Sequence, residues 1–129
     1  MPRLFFILFV AVLAVNLPAR AQHMNDKDSP CAEVVVTVDL TSCLVKARGL
    51  ADAQLNAAYQ EVRGRLNAAD ARRLVSAQRL WLQYRDANCA AERYLYEGTA
   101  VSPAYLACLE AMTRARTKEL AVTYAVKLK

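Results

Sequence analysis

The sequence has little of what catalytic and metal sites are built from. It carries one histidine, His23, three glycines in 129 residues, and no Cys-x-x-Cys pair. A structural zinc site needs thiolate or imidazole ligands at close spacing, so no metal site is expected. Gly49, Gly64 and Gly98 are scattered, which excludes a glycine-rich loop cradling a phosphate. A cysteine nucleophile needs a free thiol and a base such as histidine beside it. General acid–base work would fall to carboxylates, tyrosines and lysines alone. These absences argue against an enzyme and against a bound cofactor.

An apolar run long enough to span a bilayer is also missing. Leu4–Leu17 is apolar apart from Asn16 and covers 14 residues, against about 20 for a spanning helix. Arg3 precedes it, and Pro18-Ala19-Arg20-Ala21 follows with an A-x-A cleavage pattern. Residues 1–21 are therefore expected to be a secretory signal, cut after Ala21. No cysteine follows the apolar run directly, so no lipid anchor and no stable membrane anchor is expected after cleavage. The expected location is the periplasm or the medium.

The excess of positive charge is small. The formal net charge is +5, and losing Arg3 and Arg20 with the signal lowers it by two, to +3. The basic residues are spread along the chain, unlike the clustered footprint of a nucleic-acid binder. No nucleic-acid partner is expected.

What the sequence does have is four cysteines, Cys31, Cys43, Cys89 and Cys108. An even count in a small exported chain reads as two disulfides, each contributing on the order of 2–4 kcal/mol. Three helical patterns follow a polar stretch, residues 22–30, which reads as a flexible leader carrying His23. Leu40, Leu44, Ala47, Ala51, Leu55, Ala58, Tyr59 and Val62 recur at helical steps, with Thr37 or Thr41 as a candidate cap. Gly64 and Asn67 mark the end of that helix.

Asn67 and Asp70 suit the start of a second helix, whose stripe is Leu74, Ala77, Gln78, Trp81, Leu82, Arg85, Cys89 and Glu92. It is expected to run to Tyr96. Ser102-Pro103 opens a third helix reaching Val126, with Leu106, Leu109, Met112, Thr113, Arg116 and Leu120 inward. Short loops make sequence neighbours antiparallel, so the expected fold is all-α, a disulfide-stapled antiparallel three-helix bundle over residues 31–127. In that register Cys89 and Cys108 lie at similar heights, and Cys31 can fold back on Cys43. Cys31–Cys43 with Cys89–Cys108 is the preferred pairing; Cys43–Cys89 is the main rival.

The second helix places Gln78, Arg85 and Glu92 where a bundle wants apolar residues. They are either a ligand-facing groove or a buried hydrogen-bonded network. The network is preferred, because buried charges are usually paired and arginine suits paired carboxylates. Arg85 or Arg79 would pair with Asp52, and Arg116 with Glu92, around Trp81 as a core anchor. Tyr94, Tyr96 and Tyr105, with Glu97 and Gly98, gather at the second turn and form a candidate protein-contact patch. Asp86, Glu92, Glu97 and Glu110 are candidates for an acidic face that would steer a basic partner.

The runs Asp52-x-x-Leu55-Asn56-x-x-Tyr59, Gln78-Arg79-x-Trp81-Leu82-x-Tyr84-Arg85-Asp86-Ala87-x-Cys89-x-x-Glu92 and Tyr105-x-x-Cys108, with Gly98 and Arg116, resemble the LprI N-terminal-type domain family. The resemblance covers about residues 31–125. It implies a small exported protein that acts by binding, as an inhibitor of lysozyme or another cell-wall hydrolase. The other reading is a periplasmic envelope or stress-related protein that binds a different protein partner without inhibiting a hydrolase.

Overall fold

A computed structural model of the chain describes residues 23–129. The signal reading of residues 1–21 lies outside the described residues. Three long helices dominate: α1 (Thr37–Arg65), α2 (Ala68–Arg93) and α3 (Val101–Thr123), with one further turn, α4 (Ala125–Leu128). Among the described residues there is no strand and no helix long and apolar enough to cross a membrane. The all-α expectation holds. The pairs Asp52–Arg85 and Val62–Leu74 run α1 and α2 antiparallel, and Arg85–Thr113 and Cys89–Cys108 do the same for α2 and α3.

The helix ends are set by local chemistry. α2 starts as its sequence suggests: Asn67 Oδ1 accepts from the Asp70 backbone N–H at 2.9 Å. α1 starts three residues earlier than the apolar pattern indicates, and Thr37 is already its first residue. Val36 precedes it without any side-chain cap, and Thr41 Oγ1 donates back to the Thr37 carbonyl at 2.8 Å instead. Gly64 stays inside the helix, which ends at Arg65. α2 stops at Arg93, three residues short of Tyr96. Ser102 is not a cap, because Ala100 holds that position and Pro103 falls in the first turn of α3, where its missing N–H costs nothing.

α3 is the central helix. Its residues 103, 104, 107–111, 113 and 120 are buried, so it has almost no solvent face over its first half. Ala104, Ala107 and Ala111 let neighbouring backbones come close there. Leu44 and Ala47 of α1 pack with Ala107 near one end, while Leu55, Val62, Leu74 and Leu120 form a second cluster at the other. Cys89, Cys108 and Leu109 fill the space between α2 and α3. The two disulfides join Cys31 to Cys43 and Cys89 to Cys108.

The leader is not loose in this structure. His23–Asn25 forms a 3₁₀ turn, and His23 Nδ1 lies 2.7 Å from Glu92 Oε2. Arg114 donates to Asp26 Oδ2 at 3.2 Å and to Glu110 Oε1 at 2.9 Å. Ser29 is buried and accepts from the Cys31 N–H. The segment thus lies across α3 and reaches α2. Polar composition alone suggested mobility; partners 69 and 88 residues away supply the anchoring.

Two outcomes test this packing. Leu109 is 1% exposed, so Leu109→Ala should lower the unfolding free energy by about 2–5 kcal/mol in urea titrations. The Asp28 backbone N–H, then Arg114, hold the Asp26 carboxyl below its ordinary 3.8. A depressed folded pKa stabilises above the unfolded pKa and is lost as pH falls through the folded one. The melting temperature should drop between about pH 5 and about pH 2, and Asp26→Asn should make that drop smaller.

Candidate functional site

Arg85 is the best-connected polar residue of the bundle. Its side chain is 8% exposed, and its Nη1 donates to Asp52 Oδ1 of α1 and to Thr113 Oγ1 of α3, both at 3.1 Å. Nη2 reaches Asp86 Oδ1 at 2.8 Å. Its guanidinium carbon lies 5.6 Å from the Trp81 ring centroid, and that of Arg116 lies 5.7 Å from the same ring. Trp81 is half-buried: it packs on the Leu55, Val62, Leu74 and Leu120 cluster and also carries two cations beside its ring. Arg116 does not reach Glu92. It donates to Gln78 Oε1 at 3.2 Å and pairs with Glu119, while Glu92 is taken by His23.

Not every motif residue joins this network. Asn56, Arg79 and Tyr84 are exposed, and so are Ala77 and Leu82 from the expected stripe. The reason is the packing. α1 and α2 both lie against α3 and meet each other only sparsely, so α2 turns a narrower face inward than three-way packing requires. The space left between α1 and α2 is a groove of about 460 Å³. Leu55, Gln78 and Arg85 are its buried floor, Tyr59 and Val75 its half-buried walls, and Asn56, Arg79 and Leu82 its exposed rim. Asp52 stands at its edge, shared between Arg85 and Arg48. Most of the motif's polar residues on α1 and α2 thus line one groove, although some are also tied into the buried network. Of the three polar positions of the α2 stripe, Gln78 and Arg85 line the groove and are also hydrogen-bonded within the bundle, while Glu92 lies outside it.

A second feature is the corner between α2 and α3. The Cys89–Cys108 disulfide closes it from below. Gly98 takes φ 59°, a left-handed value that glycine adopts without penalty. Tyr94 is 77% and Leu95 79% exposed, and Glu97 and Gly98 are exposed beside them. Tyr96 and Tyr105 are half-buried, and burial, then the nearby Glu92 carboxylate, push the Tyr96 hydroxyl above its ordinary pKa. Arg93 lies 5.1 Å from the Tyr94 ring centroid and 5.6 Å from that of Tyr105, and so braces the two. Leu95 was not singled out in the sequence, where it is one leucine among many.

The acidic face does not form, since Glu110 is buried against Arg114 and Glu92 is paired with His23. His23, Glu92 and Cys108 do come together within 4.8 Å. Cys108 is spent in its disulfide, so the cluster has no thiolate to offer an ion.

Both members of the Arg85–Asp86 pair should register in urea denaturation. Arg85→Ala removes a buried side chain tied to Asp52, Asp86 and Thr113 and should cost about 2–5 kcal/mol. Asp86→Ala leaves the buried Arg85 Nη2 and Nε without that acceptor and should cost about 1–3 kcal/mol, although Asp86 itself is 57% exposed.

Comparison with known proteins places the chain. Its residues 29–120 match the family model described as lysozyme inhibitor LprI. An uncharacterized protein of Rhizobium meliloti (strain 1021) is 31% identical over 123 positions, covering 84% of this chain and 86% of that one. No solved structure matches the chain significantly. The family match spans most of the sequence and includes all four cysteines, Arg85 with its partners and every groove residue, so the chain belongs to the LprI family.

Proposed function

We propose that this protein is an exported, non-enzymatic inhibitor of lysozyme or a related cell-wall hydrolase, and that it acts with the α2–α3 corner. The observation that carries the reading is that corner's construction. An aromatic and an aliphatic side chain, Tyr94 and Leu95, stand exposed on a turn closed by a disulfide, with Arg93 against the Tyr94 ring. Hot spots are typically aromatic residues held rigidly before the partner arrives, because little conformational freedom is then lost on binding. A stapled, protruding corner suits insertion into a concave active-site cleft. The family's description supplies the class of target. The A-x-A pattern after Leu17 and the paired cysteines support export to an oxidising compartment.

Purified protein with both disulfides formed should slow lysozyme in a cell-wall turbidity assay. Tyr94→Ala should weaken inhibition by about tenfold or more, the factor for losing one hot-spot side chain. Arg72→Ala, at an exposed position of α2 remote from the corner, should leave it unchanged. Absence of any complex with a panel of lysozymes would dismiss the reading.

A further inference from the structure

The α1–α2 groove has a property that the other hollows of the molecule lack. Two other surface hollows, of about 640 and 410 Å³, flank the N-terminal segment. Volume does not separate the three, since all fall within the roughly 300–1,000 Å³ of small-ligand sites. Their polar groups do. In the smaller hollow, Glu110 and Arg114 are already paired with each other. The larger is walled chiefly by Met24, Val34, Leu40 and Pro103, and its Asp26 is held by Arg114. Exposed polar side chains without partners line all three, among them Lys27 and Glu33 in the larger hollow and Lys46 and Gln54 in the smaller, so the α1–α2 groove differs in its buried one. Gln78 is buried and accepts from Arg116 on its Oε1, while its Nε2 has no hydrogen-bond partner among the described residues and opens on the groove. Among those residues the Arg79 guanidinium, the Asn56 amide and the Tyr59 hydroxyl have none either, and no acid is paired with Arg79.

These groups convert into a ligand chemistry. Three planar side chains, Asn56, Gln78 and Arg79, offer directed donors, and Asn56 and Asp52 offer acceptors. The Tyr59 ring and the leucine and valine side chains give flat apolar surface between them. A phosphate or an acidic peptide suits this poorly. The Asp52 carboxylate stands in the groove and opposes an anion, and Arg85 is already neutralised by Asp52 and Asp86. A sugar ring matches it, because hydroxyls both donate and accept while the ring's C–H faces are apolar. On the floor, Gln78 shares one helix face with Val75, three residues earlier, and lines the groove together with Leu55. A lone donor beside apolar side chains fits an acetamido group, whose carbonyl accepts and whose methyl is buried.

We propose that the α1–α2 groove is a binding site for a short oligosaccharide bearing acetamido groups. Gln78 Nε2 donates to an acetamido carbonyl, Arg79 and Asn56 hold ring hydroxyls at the rim, and Tyr59 packs on a ring face. The site is separate from the α2–α3 corner and stands whether or not that corner inhibits a hydrolase.

The test is an amide-resolved NMR titration of the full disulfide-bonded protein with chitotetraose at millimolar concentrations, and with maltotetraose, which lacks acetamido groups. Saturable shifts in residues 52–59 and 75–85 with chitotetraose, and much weaker ones with maltotetraose, are expected. Arg79→Ala and Asn56→Ala alter exposed side chains, so their melting curves should match the parent protein. Each should weaken chitotetraose binding, Arg79→Ala by about tenfold, the factor for one lost charge-assisted hydrogen bond. Tyr94→Ala should bind like the parent. Shifts confined to the corner or the N-terminal segment, or no saturable shift at all, overturn the site. Equal response to maltotetraose overturns the acetamido assignment.

Discussion

A charged guanidinium buried where three helices meet must be answered on every side, and Arg85 is answered by one group from each helix. Asp52 comes from α1, Asp86 from its own helix α2, and Thr113 from α3. Removing a buried charge from water is costly unless its hydrogen-bonding capacity is filled. Asp86 turns with Arg85, so the rotation of α2 about its axis is constrained by Asp52 and Thr113 on the other two helices, and that rotation sets what else α2 displays. It puts Gln78 on the groove floor, Arg79 on the rim and Cys89 against Cys108. Apolar contacts supply most of the packing, while Arg85 determines how the helices are turned.

Helix identity and order were legible because apolar residues at steps of three and four mark a buried face whatever lies opposite. The Asn67–Asp70 cap was legible for the same reason of locality, being contained in four residues. The register between α1 and α2 was readable only to within two turns of helix, leaving Asp52 opposite Arg79 or Arg85, of which the structure has Arg85. Contacts spanning long stretches of chain were not readable. Glu92 was expected beside Arg116 on its own stripe, but His23, 69 residues earlier, occupies it. No periodicity reports that a polar segment will lie across a helix. The unequal packing of the three helices was equally hidden, because each helix's stripe indicates that it packs and not on which neighbours. The groove follows from that inequality, which explains why its residues could be named in the sequence while their arrangement could not.

The corner and the groove divide the surface by chemistry. The corner is apolar and aromatic, braced by Arg93, and joined to the rest through a disulfide. The groove is lined with uncommitted amides and a guanidinium over an apolar floor. Rigid aromatic protrusions suit a protein cleft, while recessed planar polar groups suit a small polar molecule.

α3 is the central helix, and it follows α1 and α2 in the chain. Until Val101–Thr123 has left the ribosome, α1 and α2 have only each other, and they share little contact. Cys89 is then also without Cys108. Domains commonly begin to fold from the amino end during synthesis, but here that end has no core to fold onto. Closure of the bundle therefore waits on α3, which brings the partner for Cys89 and the surface on which α1 and α2 settle, while the Cys31–Cys43 staple can form without it.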